Sequence, residues 1–236
     1  MLDISLVIEE KYFNKDPQST DLGRSIISAS IELMDELGFE HFTFKKLATK
    51  IQSTEASVYR YFDNKLKLLL YLTNWYWAWL EYQIDYNTHH LSNPDEKLKI
   101  IIKIISQSQS AIEQVNLPGA ETSVLRRIVM SESDKTYLNK QVDQNNHQGL
   151  FRGFKKLCNK IATVISELDP DYKYPHALGS SILEASHQQA FFAQHLPSIT
   201  DVSMDKKEGL NTQVCDFIED LAFKVLSSKT NPTEKA

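Results

Sequence analysis

Glycine and proline are scarce in this 236-residue chain, with seven of each. Sandwiches and barrels of many short strands need turn residues far more often, so the scarcity excludes them and favours long helices. Cysteine is scarcer still. Cys158 and Cys215 are the only two, too few and too scattered for a disulfide framework or a cysteine-rich zinc site, and they suit a reducing cytoplasm. Long apolar runs are missing as well. The greasiest stretch, 68–80, is broken by Thr73 and Asn74 and closes at Glu81, well short of the ~20 residues that span a bilayer. The opening MLDISLVIEEKYFNKD lacks a basic region, a long apolar run and a small-residue cleavage site, so no secretory leader is expected. Nor is there an excess of positive charge: 26 Lys and Arg stand against 31 Asp and Glu, a net −5, which disfavours wholesale attraction to nucleic acid. What remains is 42% hydrophobic and 24% charged, ordinary globular composition with enough apolar material for a sizeable core. The expectation is a water-soluble cytoplasmic protein with no membrane partner.

Apolar residues recur at the helical period along most of the chain. Ile26, Ala29, Ser30, Leu33 and Leu37 form one stripe over 22–37, with Ser19, Thr20 and Asp21 as candidate caps and Gly38 as the stop. Phe44, Leu47, Ala48 and Ile51 then mark a helix of about two turns, capped by Thr43. After Gln52-Ser53 comes TEASVYRYF, in which Val58 and Phe62 are spaced to face inward, and Asp63-Asn64 cap a long helix to roughly residue 88. Pro94 opens another, Pro118-Gly119 precede a shorter helix at 120–131, and 145–168 carry one long stripe from Leu150 to Leu168. Two last helices, about 176–195 and 208–228, flank a loop at Pro197. No stretch alternates apolar and polar residues long enough for a strand. The fold class is therefore all-α. It divides into an N-terminal extension at 1–20, a head at 21–66, a helical body at 67–228 and a frayed tail at 229–236. The extension reads equally as an extra docked helix or a mobile arm.

The three front helices have the spacing of a helix-turn-helix: a supporting helix, then two short ones joined by a tight turn. The second short helix has to enter a major groove about 12 Å wide, which asks for modest outward side chains and a back that packs on its neighbour. Here the outward set is Glu55, Ala56, Ser57, Tyr59 and Arg60, and Val58 and Phe62 rest on Phe44, Leu47 and Ala48. Between Phe42 and Lys67 six cations (Lys45, Lys46, Lys50, Arg60, Lys65, Lys67) stand against two anions, Glu55 and Asp63. A local excess of positive charge inside an acidic protein is what phosphate neutralisation requires, although a solvated helical surface also carries such charges.

TFKKLATKIQSTEASVYRYFDNKLKLL resembles the DNA-binding signature of TetR-type bacterial transcriptional regulators: Thr-x-x-x-Ile-Ala, a turn, then Ser-x-x-x-x-Tyr-x-Tyr-Phe-x-x-Lys. The matching positions are Thr43, Leu47, Ala48, Thr54, Tyr59, Tyr61, Phe62 and Lys65, and the preceding GRSIISASIELMDELGFEHFT, with Arg24 and Gly38-Phe39, is similar to that family's first helix. The similarity covers roughly residues 22–70. Two departures stand out. The usual Ala-Gly-Val-Ser turn reads Ile51-Gln52-Ser53-Thr54, so a residue other than glycine takes the bend, and the usual Lys-Gly opening of the second helix reads Glu55-Ala56. Glu55 favours the helix dipole and can accept from a cytosine amino group, but it repels phosphate.

The resemblance implies a homodimeric regulator, most simply a repressor. It would bind a palindromic operator in double-stranded DNA and be released by a small-molecule effector, in a bacterial cytoplasm at the nucleoid. On that analogy and on side-chain chemistry, Thr43, Tyr59 and Lys65 are expected at phosphates, and Glu55, Ser57 and Arg60 at base edges. Arg60 serves equally as a phosphate contact. Lys45, Lys46 and Thr54 belong to the same expected DNA-binding set, while Tyr61 and Phe62 read as core.

In the long helix, aromatics recur at Trp75, Trp79, Tyr82 and Tyr86. Core packing accounts for most of them, which leaves Trp79 and Tyr82 as candidate walls of an effector pocket. Arg126 is a candidate anchor for an anionic effector, with surface exposure the plainer expectation. On the last two helices Leu183, Ser186, Ala190, Phe191, Phe217, Ile218, Leu221 and Val225 are the candidate dimer interface, in the place the family uses for pairing; a core internal to the chain would read similarly. A single Glu-x-x-His, Glu184 to His187, has the spacing of one half of a carboxylate-bridged di-iron site, which needs a second copy. With no phosphate loop and no nucleophile motif either, no catalytic residue, metal or cofactor is expected. The competing readings are a helical ligand- or partner-sensing protein with weak or lost DNA binding, and a ferritin-like metalloenzyme.

Overall fold

The computed structural model describes residues 12–106, 122–203 and 211–227, and among these the regular structure is helical throughout. In chain order the helices are α1 (Asp21–His41), α2 (Phe44–Lys50), α3 (Glu55–Tyr59), α4 (Lys65–Thr88), α5 (Pro94–Ser106), α6 (Thr122–Glu132), α7 (Asp134–Tyr137), α8 (Val142–His147), α9 (Arg152–Leu168), α10 (Pro175–His195) and α11 (Thr212–Ser227). The all-α expectation holds for these residues. None of their helices is long and apolar enough to cross a membrane. The expectations for residues 1–11, Pro118-Gly119, 208–210 and the tail at 229–236 fall outside the described residues.

The chain forms two compact units, and α4 and α9 each run from one into the other. The first unit holds the front of the chain through Trp79 together with α6, α7, α8 and the start of α9. Its head condenses on Ile26, Phe42, Leu47, Val58 and Phe62, each with no accessible surface. Local chemistry sets the helix starts. Thr20 caps α1 by accepting from the Gly23 N–H, and Asn64 caps α4 by accepting from the Lys67 N–H.

Residues 12–20, left open by the sequence, run along the head with a single 3-10 turn at Pro17–Ser19. The Tyr12 hydroxyl lies 3.1 Å from Asn74 Oδ1 and 3.0 Å from the Leu150 carbonyl, and the Asn14 N–H donates to the Tyr61 carbonyl. The Thr20 and Tyr61 hydroxyls are 2.7 Å apart. Residues 12–20 are thus tied to the first unit, to the head through Tyr61 and to Asn74 and Leu150 through Tyr12.

The single helix expected over 145–168 is two. Gly149 takes φ 71, in the left-handed region that stops an α-helix, and the chain restarts at Arg152. The sequence also gave no sign of α7, a single turn between Ser133 and Leu138.

The second unit contains α5, α10 and α11 with the ends of α4 and α9. Its core is Leu98, Ile101, Leu157, Ile161, Ile182, Val214 and Ile218. Asn211, just before α11, donates to the Ser106 carbonyl at 3.1 Å and so joins the starting point of α11 to the end of α5. On its surface the Lys160 ammonium sits on Asp85 and 3.5 Å from Glu81, and Lys97 pairs with Glu167 at 3.1 Å.

Candidate nucleic-acid interface

Two threonines and one strained residue shape α2, the turn and α3. The Thr43 hydroxyl accepts from the Lys46 N–H at 3.2 Å, and the Thr54 hydroxyl accepts from the Ser57 N–H at 3.2 Å, so each starts its helix. Between them Gln52 takes φ 51. The left-handed bend that the family fills with glycine is made here by an ordinary side chain, which allows the Ser53 N–H to close the turn on the Ala48 carbonyl at 2.9 Å. The Lys50–Glu32 pair, 2.9 Å, ties α2 to α1.

The outward and inward sets come out as the helical period dictates. Val58 and Phe62 are fully buried, whereas Glu55, Ala56, Tyr59 and Arg60 are exposed and Ser57 is half-buried. The Tyr59 ring leans edge-on against Phe44, with centroids 5.0 Å apart, while nearly half of its surface stays open. Arg60 stands at the C-terminal end of α3, whereas Glu55 and Ser57 are in its first turn. Thr43, Lys45, Lys46 and Thr54 are exposed around them, the Lys46 ammonium resting on the His41 carbonyl at 2.9 Å.

Lys65 is employed differently from its sequence expectation at a phosphate. Its ammonium donates to the carbonyls of Phe39, Glu40 and Phe42 at 2.9, 3.1 and 3.4 Å and lies 4.6 Å from the centre of the Phe39 ring. Three carbonyls match the three hydrogens of an ammonium group, so Lys65 ties off the end of α1.

Residues 26–72 match the family model of bacterial regulatory proteins, tetR family. The match lies over the head, from α1 into the first turns of α4. No curated protein sequence matches the chain. Among solved structures the chain is similar to AibR in complex with isovaleryl coenzyme A and operator DNA, at 15% identity, covering 84% of this chain and 96% of that one with a TM-score of 0.56. It is similar to the fatty acid degradation regulator FadR from Bacillus halodurans, at 15% identity over 88% of this chain and 95% of that one, TM-score 0.57. Thermus thermophilus FadR, a TetR-family transcriptional repressor in complex with lauroyl-CoA, aligns at 15% identity over 90% and 98%, TM-score 0.55. At such identities the likeness is one of fold.

Of the expected effector residues, Arg126 and Trp79 belong to the first unit and Tyr82 to the second. Arg126 is in the first unit and is buried, 7% exposed, rather than on the surface. Burial holds its guanidinium below the ordinary pKa, opposed by the adjacent Tyr76 hydroxyl, which burial in turn pushes up. Trp79 is also buried and stacks on Tyr76, centroids 5.8 Å apart. Tyr82, in the second unit, is half-buried and stacks on Tyr86.

The candidate dimer residues divide. Leu183, Ser186, Ala190 and Ile218 are buried within the single chain, where they pack α10 and α11 into its own core. Phe191, Leu221 and Val225 are partly open, and Phe217 is 39% exposed. His187 is buried on α10, and among the described residues no three His, Cys, Asp or Glu side chains gather to hold a metal.

One residue the sequence did not single out borders the interface. The Asn14 side-chain amide donates to an Asp63 carboxylate oxygen at 2.7 Å and to the Tyr59 carbonyl at 3.4 Å, against the end of α3. No periodic pattern marks it, because it precedes the first helix.

Proposed function

We propose that this chain regulates transcription by binding double-stranded operator DNA through α2 and α3. A homodimer on a palindromic site would present two such heads, and the simplest outcome is repression. The observation that carries this reading is the division of α3: Val58 is sealed in the core while Glu55, Tyr59 and Arg60 face out, beside exposed Lys45 and Lys46. In this reading Thr43, Tyr59, Lys45 and Lys46 contact phosphates, and Glu55, Ser57 and Arg60 meet base edges. The protein acts by binding and not by catalysis. Its dimer contact uses the open part of α10 and α11, with Phe217 at the centre.

A small-molecule effector releases the DNA by favouring a state whose heads are mis-placed, an effect limited to its differential affinity for the two states. The buried Arg126 beside Tyr76, near Trp79, supports an effector with an anionic group, and the ligands named in the AibR and FadR structures suggest acyl thioesters as the first compounds to try.

The test is fluorescence anisotropy of the full chain on duplexes from the region upstream of its own coding sequence, repeated across salt. The expected result is tight binding whose log affinity falls linearly and steeply with log salt, as release of counterions from several phosphates demands. Glu55, a carboxylate at the groove-facing start of α3, favours a second reading: a helical sensor that has lost operator binding. Flat, weak affinity at every salt concentration would select it.

A further inference from the structure

α6 clasps the last turns of α1 at two successive places, all inside the first unit. Arg127 grips Asp35 with both arms of its guanidinium, Nε to Oδ1 at 2.9 Å and Nη2 to Oδ2 at 2.7 Å. Further along, α1 leaves helical geometry at Gly38, φ 72 and ψ 161. The N–H that follows, from Phe39, donates to Glu132 Oε1 at 3.1 Å. The other oxygen of Glu132 takes the Lys135 ammonium at 2.6 Å, and that ammonium also reaches Glu40 at 2.9 Å. Lys135 and Lys65 both lie over the Phe39 ring, 5.5 and 4.6 Å from its centre. The Glu132 side chain is only 12% exposed, so its own bonds are shielded from the water that weakens surface pairs, whereas the Lys135–Glu40 pair, with Glu40 70% exposed, is open to solvent.

The place of this knot gives it a consequence. The elbow it holds, Gly38 to Phe42, leads directly into the Thr43 cap of α2, and α2 carries the turn and α3. α6 meanwhile buries Leu125, Ile128 and Val129 on its inner side. One rigid helix therefore has one face in the interior and its last residue on the elbow of the head.

We propose that Glu132 is a positioning residue for DNA recognition: it fixes the elbow in the orientation that presents α3. The inference rests on the DNA-binding reading above. Without Glu132, Phe39 loses its acceptor and the presenting orientation becomes one of several, so apparent affinity falls in proportion to the competent fraction.

The experiment compares the full-length protein with Glu132→Ala, Glu132→Gln and Lys135→Met in anisotropy titrations on the same upstream duplex, with amide exchange at Phe39 measured in parallel. Glutamine keeps an oxygen for the Phe39 N–H and loses only the charge that Lys135 faces. The expected loss is roughly tenfold for alanine, with a competent fraction near a tenth, and about threefold for glutamine and for Lys135→Met. Phe39 exchange should quicken in the alanine variant alone. If alanine binds DNA as the native chain does while Phe39 has lost protection, or if glutamine is no better than alanine, the positioning role is overturned. Should Glu132→Ala fail to fold, glutamine and Lys135→Met decide, and wild-type affinity in Lys135→Met removes the brace from the account. A native chain that binds no duplex at any salt concentration overturns the DNA-binding reading itself, and the inference with it, which is a distinct result from a binding native chain and an unaffected variant.

Discussion

In the head, the side chains that the helical period turns outward are exposed except for half-buried Ser57, and those it turns inward, Val58 and Phe62, have no accessible surface. In α10 and α11 the same period separates nothing so cleanly: Leu183, Ala190 and Ile218 lie inside the chain while Phe217, on the same pair of helices, is 39% exposed. The difference comes from the amount of apolar material each region has to place. A helix of five residues such as α3 can bury one narrow face, so everything else is outside by default. Helices of 21 and 16 residues carry stripes broad enough to pack on their own chain and still leave apolar side chains open. What α2 and α3 leave open is therefore mostly polar, whereas α10 and α11 also leave apolar surface open.

The largest effect that would break this contrast is in the head core. Phe62→Ala should cost about 3–5 kcal/mol, the range for emptying a buried aromatic site, read as a lower denaturant midpoint. A loss below ~1 kcal/mol would mean that the head core does not rest on it. In the body, Ile218→Ala should cost about 2–4 kcal/mol of single-chain stability, whereas Phe217→Asp should leave folding nearly unchanged and shift sedimentation toward the monomer. Equal stability losses at the two neighbouring positions would erase the distinction drawn between core and interface on α11.

At the head's polar surface, Arg60→Ala should weaken operator binding by about 1–3 kcal/mol and relax base preference near its contact. A loss that is uniform across sequences, with a reduced salt slope, would make Arg60 a phosphate contact instead. In the turn, Gln52→Gly should stabilise the fold by up to about 1 kcal/mol, since the left-handed conformation costs an L side chain roughly that much and the unfolded chain's gain in freedom offsets part of it. Melting temperature measures it.

The smallest change is chemical. Burial, with help from Glu184, pushes the Cys158 thiol up to about 11 from 9.0. Its thiolate fraction at neutral pH is then about a hundredth of that of an unperturbed thiol, and alkylation should be slower by a similar factor. Alkylation at the rate of a free thiol would mean that the half-buried Cys158 is not desolvated enough to raise its pKa.

Much of the head was legible because its determinants are local. Thr43 as a cap, Gly38 as the stop and a bend taken by a residue other than glycine in the turn at 51–54 all follow from the chemistry of a few adjacent residues. Lys65 was not legible, because its three carbonyl partners lie 23 to 26 positions away. A basic residue near a helix-turn-helix looks like a phosphate contact until the end of α1 is seen beneath it. Arg126 misled in the same way: nothing in its helix distinguishes it from Arg127, yet one is buried and the other reaches Asp35 on the surface. Gly149 was visible in the sequence, but the apolar stripe continues across it, and periodicity alone gave no reason to break the helix there.

Helix content, capping, the tight turn and the basic surface of the head were settled by the order of residues, since each depends on neighbours within about one turn of helix. Tertiary structure decided which apolar stripes became interior, which cations point to solvent, and that Glu132 holds the Phe39 N–H from 93 positions away. Those outcomes depend on which surfaces meet after the helices have formed, and contacts between distant parts of a chain leave no period in its sequence.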